Sequence, residues 1–354
     1  MQLTIDQKRK LNHASKIILA GVIIGLFYPV FADGFTEVIP FVNGFLVGLI
    51  GGTFIAFLEL QVFDYRRKKR RPFLVTLAQK IILYFLFFAL LIPLVMGFTE
   101  SIYYQRGFWE HIKSERFQNF LFKEDYDVIL FYAFVFISII IFTRQMSRKM
   151  GQGVLFSFIS GRFHQPREVE RIFMFLDIRS STTIAEDLGS INFHRFIHDF
   201  FMDISACILA TKGSIYRYVG DQVVVTWTLK AGIENANCIR TYFKIKNQLK
   251  QLREKYLQRY GFVPRFSTSF HYGKVVVGEI GEVKSQIVYH GETLLETKAI
   301  EKQFGILTPQ EAILISEPLI KVLPIPSLYR IVKVAEIDIL DKNHMDVYTL
   351  EELP

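Results

Sequence analysis

Two aspartates carry the clearest chemical signal in this sequence. Asp177 sits near the end of the apolar run RIFMFLDI (Arg171 to Ile178), and Asp221 lies inside GSIYRYVGDQVVVTW (Gly213 to Trp227), between two runs that read as β-strands. Each has an ordinary explanation taken singly: a helix cap for Asp177 and a turn residue for Asp221. Placed together at the ends of neighbouring strands, the two carboxylates repel, and one pKa rises unless a cation is shared between them. Hard oxygen ligands of this kind suit Mg²⁺ or Mn²⁺, and two such ions can hold a nucleotide triphosphate in line for displacement. Arg179, Ser180, Ser181 and Thr182 follow Asp177 directly. Their backbone amides and hydroxyls open a helix, an arrangement that favours phosphate.

The elements that must position these groups follow from periodicity and turn signals. A strand over Arg171 to Ile178 leads into a helix that runs through FHRFIHDFFMDISACIL (Phe193 to Leu209) and stops near Gly213. SIYRYV and QVVVTW form a hairpin about Gly220 and Asp221. A long helix is predicted over about Ala231 to Arg259, then a second hairpin within RFSTSFHYGKVVVGEIG (Arg265 to Gly281). A strand near Ile287, a helix from about Glu292, a strand AILIS (Ala312 to Ser316) and a last pair (Tyr329 to Lys333, Met345 to Leu350) complete the domain. The order β-α-β-β-α-β, with additions, predicts an α+β, ferredoxin-like domain with helices on one face of a mostly antiparallel sheet. His194 and His198, like Asp199 and Asp203, recur four apart on one helical face. With no third ligand in view they read as a packed or solvated face. Gly273, Gly278 and Gly281 read as turn and close-approach residues rather than a phosphate loop.

The N-terminal part differs in kind. Apolar stretches at Ile17 to Phe35, Val38 to Phe63, Ile81 to Phe98 and Val128 to Phe142 are each near the ~20 residues that span a bilayer. They predict a four-helix transmembrane bundle over 1–145, a cytosolic linker over 146–170 broken by glycines, and the folded domain over 171–354. No small-residue cleavage site follows the first stretch, so it reads as a retained anchor. Lys8, Arg9, Lys10 and Lys16 precede it, YRRKKRRP (Tyr65 to Pro72) joins the second stretch to the third, and Arg144, Arg148 and Lys149 follow the fourth, whereas the Thr99 to Asp127 loop mixes both signs. By the positive-inside rule both termini are cytoplasmic. The net charge of +8 then reads as attraction to anionic lipid rather than nucleic acid, which neither zinc-finger spacing nor an aromatic-interleaved basic stripe supports. Two cysteines, Cys207 and Cys238, are too few for a disulfide framework. Gly21 and Gly25, with Gly44, Gly48 and Gly52, lie at a spacing that lets helices approach closely, within one bundle or between two.

FLDIRSST, GSIYRYVGDQVVVTW, HYGKVVVGEIG and IVYHGETLLETKAIE resemble, in order and spacing, the catalytic domain of class III nucleotidyl cyclases. The likeness runs from about Arg171 to Leu350 and is greatest to membrane-anchored bacterial adenylate cyclases, so it implies a bacterial inner-membrane protein. It further implies conversion of ATP to cyclic AMP and pyrophosphate in a head-to-tail dimer, with two metal ions held by Asp177, Asp221 and the backbone carbonyl of Ile178. Arg217 and Val288 fall at the base-reading positions. The ribose-orienting Asn and the transition-state Arg of the family fall on Leu295 and Ala299, which donate no side-chain hydrogen bond; Lys298 is the adjacent cation. These departures leave three readings: an adenylate cyclase active as a homodimer, an impaired subunit working with another cyclase in a heterodimer, or a cyclase for GTP or a pyrimidine triphosphate.

Overall fold

The computed structural model describes residues 5–32, 38–62, 72–123, 126–151, 154–307, 313–324, 329–339 and 343–352. The chain divides into two units, Met1–Met146 and Ser147–Pro354. Of the basic segment Tyr65 to Pro72 only Pro72 is among the described residues, and Phe35, Phe63, Ala312 and the side chains of Lys8, Arg9, Lys10, Arg148 and Lys149 lie outside them.

In the first unit the apolar stretches form α1 (Ile5–Ala32), α2 (Ile39–Phe57), α3 (Phe73–Tyr103) and α4 (Tyr126–Met150). Three segments, Ile39–Gln61, Phe73–Tyr103 and Tyr126–Ser147, are long and apolar enough to cross a membrane. The apolar part of α1, Ala14–Val30, is shorter, so the described residues carry three such spans rather than the four expected. The Thr99 to Asp127 segment is not simply a loop: α3 continues to Tyr103, and short helices follow at Phe108–Ile112 and Glu115–Phe122. The glycine stripes bring α1 and α2 of the same chain together. A Cβ added at Gly21 would lie 2.6 Å from the Gly48 carbonyl oxygen, and one at Gly52 would lie 2.9 Å from Ile18 Cα. Two sets of polar groups inside this unit are paired across helices: Glu59 with Lys80 and the Tyr84 hydroxyl, and Thr99 with Asn43.

The second unit is built on one mixed sheet. Its strands are β1 (Arg167–Ile178), β2 (Ser214–Val219), β3 (Gln222–Thr228), β4 (Phe266–Ile280), β5 (Gln286–His290), β6 (Ile313–Ser316), β7 (Tyr329–Ile339) and β8 (Asn343–Glu352), in the order β2-β3-β1-β4-β6-β8-β7 with β5 paired to β4. The longer helices are α5 (Ser181–Ala210), α6 (Asn237–Gln251), α7 (Arg253–Tyr260) and α8 (Glu292–Lys302). The expected β-α-β-β-α-β core is present as β1-α5-β2-β3-α6/α7-β4. Two expectations change. Phe266 to Ile280 is one long strand, whose hairpin partner is β5, because β1 supplies a partner for it along its length from Phe266 to Val277. The helix expected over Ala231 to Arg259 is broken into a short Leu229–Ile233 helix, α6 and α7; Asn235 and Ala236 adopt positive φ between the first two.

Helices also cover both faces of the sheet, not one. Side chains alternate along a strand, and in β1 both sets are apolar. Ile172, Met174 and Leu176 join Phe196, Phe200 and Ile204 of α5 and Ile239, Tyr242 and Ile245 of α6 in one cluster. Phe173 and Phe175 turn the other way, towards Tyr289 of β5 and Leu294 of α8. Beneath α5, Asp203 accepts from Lys255 (2.6 Å) and from the buried Tyr256 hydroxyl (2.8 Å), while Asp199 accepts from Tyr260 (2.8 Å). The Asp199 and Asp203 face is therefore a packed one, the first of the two alternatives the sequence left open.

Polar anchors seat α8 on its face. Thr293 Oγ1 donates to the Lys274 carbonyl (2.7 Å), Ser269 Oγ donates to the Thr297 carbonyl (3.2 Å), and His271 Nε2 meets Glu296 (2.7 Å). The His271 bond holds the Glu296 carboxyl below the usual carboxylate range. Gly273 makes room for this docking, since a Cβ there would lie 2.5 Å from Thr293 Oγ1. Gly273→Ala is expected to cost about 1–3 kcal/mol of stability by overpacking. In denaturation experiments, adding Thr293→Ala should destabilise by less than the sum of the two single variants; strict additivity contradicts the contact.

Candidate active site

Asp177 belongs to the set Phe173, Phe175, Asp177, so its side chain leaves β1 on the face that carries α8. In register it is paired with Gln222, and Asp221 occupies the turn immediately before β3. This brings the two predicted metal residues together closely enough for their carboxyl groups to share a hydrogen bond. Burial, followed by the charge and hydrogen bond of Asp221, pushes the Asp177 carboxyl up to about 7; Glu301 adds to the rise and Lys298 opposes it.

Glu301 and Gln222 are the members of this site that sequence reasoning missed. Gln222 Nε2 donates to Glu301 Oε1, and the Lys298 ammonium pairs with Glu301 Oε2. Glu301 is buried, and a buried carboxylate requires such partners. A signal for both was available: Gln222 is a polar residue opening the apolar run VVV of its strand, and Glu301 continues the Thr293, Thr297, Ile300 stripe of α8 at helical spacing.

The segment after Asp177 leads directly into α5. Ser180 takes a left-handed conformation (φ 55°, ψ 32°) at the N-cap of α5, and Ser181 and Thr182 begin the helix. The Arg179 guanidinium lies over the Phe304 ring at 5.0 Å, and its Nη1 donates to the Phe304 carbonyl at 3.4 Å. Its Nε and Nη2 are buried without a protein acceptor among the described residues. Burial lowers its pKa and the Asp177 charge acts against that shift.

Other predicted residues lie elsewhere. Arg217 is on β2 with an exposed side chain over Tyr216 (5.2 Å), and Val288 is on β5 opposite Gly278. Their neighbours touch, since the Tyr289 amide donates to the Tyr216 hydroxyl at 3.1 Å. Among the described residues, no hydrogen bond or ion pair joins Arg217 or Val288 to the aspartate pair. Leu295 is 59% exposed, and Ala299 packs against the Ile300, Phe304 and Leu314 cluster.

The paired, half-buried carboxylates fit a divalent cation, with the Ile178 carbonyl adjacent in sequence and the orphaned Arg179 nitrogens beside them suited to phosphate. No group of three His, Cys, Asp or Glu side chains able to hold a metal occurs among the described residues, so a cation held by the two aspartates would need backbone or ligand oxygens as well. Without a cation the raised Asp177 pKa has a measurable consequence. Between roughly pH 4 and 7 the folded chain keeps a proton that the unfolded chain releases, so stability falls as pH rises through that window. In thermal melts with chelator present, the stability advantage of Asp177→Asn over the parent should grow from pH 4 to pH 7 and level off above it. An advantage that shrinks with pH contradicts this.

A family model described as the adenylate and guanylate cyclase catalytic domain matches residues 165–352, just over half of the chain. Adenylate cyclase 2 of Rhizobium meliloti (strain 1021) is 34% identical over 202 residues, covering 57% of this chain and 55% of that protein. The chain thus spans little more than half the length of this curated relative. Two solved structures of a bacterial light-regulated adenylyl cyclase each give a TM-score of 0.52 at 20% identity; one covers 62% of this chain and 63% of its own, the other 63% and 64%. At that identity the likeness is one of fold. Since the matched segment contains both aspartates and the sheet that displays them, the chain belongs to the class III family of adenylate and guanylate cyclases.

Proposed function

We propose that the protein is a membrane-anchored adenylate cyclase that converts ATP to 3′,5′-cyclic AMP and pyrophosphate in a dimer. The observation that carries this is the Asp177 and Asp221 pair at adjoining strand ends, which makes little sense without a shared cation. The 34% identical relative named Adenylate cyclase 2 supports the choice of ATP.

Asp177, Asp221 and the Ile178 carbonyl would hold two Mg²⁺ or Mn²⁺ ions. When bound, the ions supply activation of the ribose 3′-hydroxyl and charge neutralisation for the leaving pyrophosphate. The Arg179 nitrogens that have no protein acceptor, with the amides and hydroxyls of Ser180, Ser181 and Thr182 at the start of α5, bind and orient phosphate oxygens. Arg217 and Val288 flank the base of a nucleotide in the site formed with a second copy. The N-terminal unit, with α1 taken as a fourth membrane helix, places both termini and the catalytic domain on the cytoplasmic side of a bacterial inner membrane, where basic flanks meet anionic lipid.

A second reading rests on Leu295 and Ala299. One is exposed and apolar, and the other is part of a hydrophobic cluster, so neither orients a ribose or steadies developing charge. Losing one such donor typically costs about 10²–10³ in rate. In this reading the chain lends its aspartates to another cyclase that contributes the missing donors.

Purified full-length protein should be incubated with each of the four nucleoside triphosphates and Mn²⁺. Cyclic AMP from ATP, reduced at least about 100-fold by Asp177→Ala and by Asp221→Ala, is the expected outcome. Preference for GTP or a pyrimidine nucleotide reassigns the substrate. Absence of any product, together with activity restored by a cyclase disabled only at its own metal aspartates, establishes the second reading instead.

A further inference from the structure

Lys298 stands beside the position where the family carries a charge-stabilising Arg contributed to the other subunit, and its ammonium pairs with Glu301, which also accepts from Gln222 next to Asp221. We infer that Lys298 is a phosphate-binding residue acting in cis, at the Asp177 and Asp221 pair of the same polypeptide. This rests on the cyclase reading and sharpens it.

The connection runs from strand register through a hydrogen bond to an ion pair. Asp177 is in register with Gln222, Gln222 Nε2 donates to Glu301 Oε1, and Glu301 Oε2 pairs with the Lys298 ammonium one helical turn earlier. Asp177 projects on the sheet face that α8 covers, and α8 is locked there by Thr293, Glu296 and Thr297. The charges of Glu301 and Lys298 both reach the Asp177 carboxyl. The Lys298 side chain is 50% exposed while Glu301 is 8% exposed. The carboxylate is thus the buried tether, and the ammonium, with three donors and one partner in view, opens towards ligand.

Charge balance points the same way. Three carboxylates, Asp177, Asp221 and Glu301, gather here against two cationic side chains, Arg179 and Lys298. Two divalent ions would turn that total positive, as a polyphosphate requires, and removing Lys298 lowers it by one charge.

The test measures binding rather than turnover. Detergent-solubilised full-length protein is assayed for binding of Mn²⁺ with pyrophosphate by equilibrium dialysis. Lys298→Ala should weaken pyrophosphate binding by about tenfold or more, and Lys298→Arg should retain most of it. Mixed pairs are then isolated with two affinity tags, one chain carrying Asp177→Ala with Asp221→Ala and the other carrying Lys298→Ala. Action in cis leaves every site in such a pair defective, so binding stays weak. Recovery of one site of parental affinity per pair shows action in trans and overturns the inference, as does a Lys298→Ala chain that binds like the parent. Parental protein that binds no pyrophosphate, or binds it equally well after Asp177→Ala, overturns the metal-pair reading along with it.

Discussion

Because β1 is covered on both faces, its side chains alternate between two environments, and almost every feature of the second unit follows from that. Ile172, Met174 and Leu176 bind the sheet to α5 and α6, while Phe173 and Phe175 bind it to β5 and α8. Fully burying apolar side chains of this size contributes roughly 1.5–3 kcal/mol each, so neither layer is dispensable. The same alternation continues one step beyond the apolar run and delivers Asp177 to the α8 side. A shift of one residue in register would send it to the opposite face.

Electrostatics at the strand ends then work against folding and in favour of ligand. Burial and the nearby Asp221 both oppose ionisation of Asp177, and Glu301 adds a third negative group that Gln222 and Lys298 only partly offset. Local destabilisation of this kind is common where a site is built for an absent charge. The Arg179 nitrogens without acceptors show the complementary cost on the cationic side. Under the proposed function, both costs would fall on binding of a metal-bound polyphosphate.

The first unit solves a different problem. In an apolar surrounding, helix association depends on close backbone approach, and the opposed glycines of α1 and α2 provide it within one chain. Its buried charges come as partners: Glu59 is matched by Lys80 and Tyr84, since an isolated ion there is expensive.

How much of this was legible in the sequence depended on the range of the interaction. Local patterns determined the β-α-β-β-α-β order, the Asp177 and Asp221 positions, the helix opening at Ser181 and the glycine spacing, because strand alternation, turn chemistry and helix period are encoded within a few residues. The single length of β4, the two-faced sheet and the break between α6 and α7 were not legible, because a strand's partner and a helix's face are chosen by residues far away in sequence. The same holds for the partner of Glu301. Helical spacing with Thr293 and Thr297 marks its face as a packed one, but only tertiary packing sets it against Gln222, 79 residues earlier. The sequence by itself determined which polar groups are candidates to hold a metal and a phosphate. Only the tertiary structure decided which of them meet, because a buried carboxylate must find its partners wherever the fold brings them.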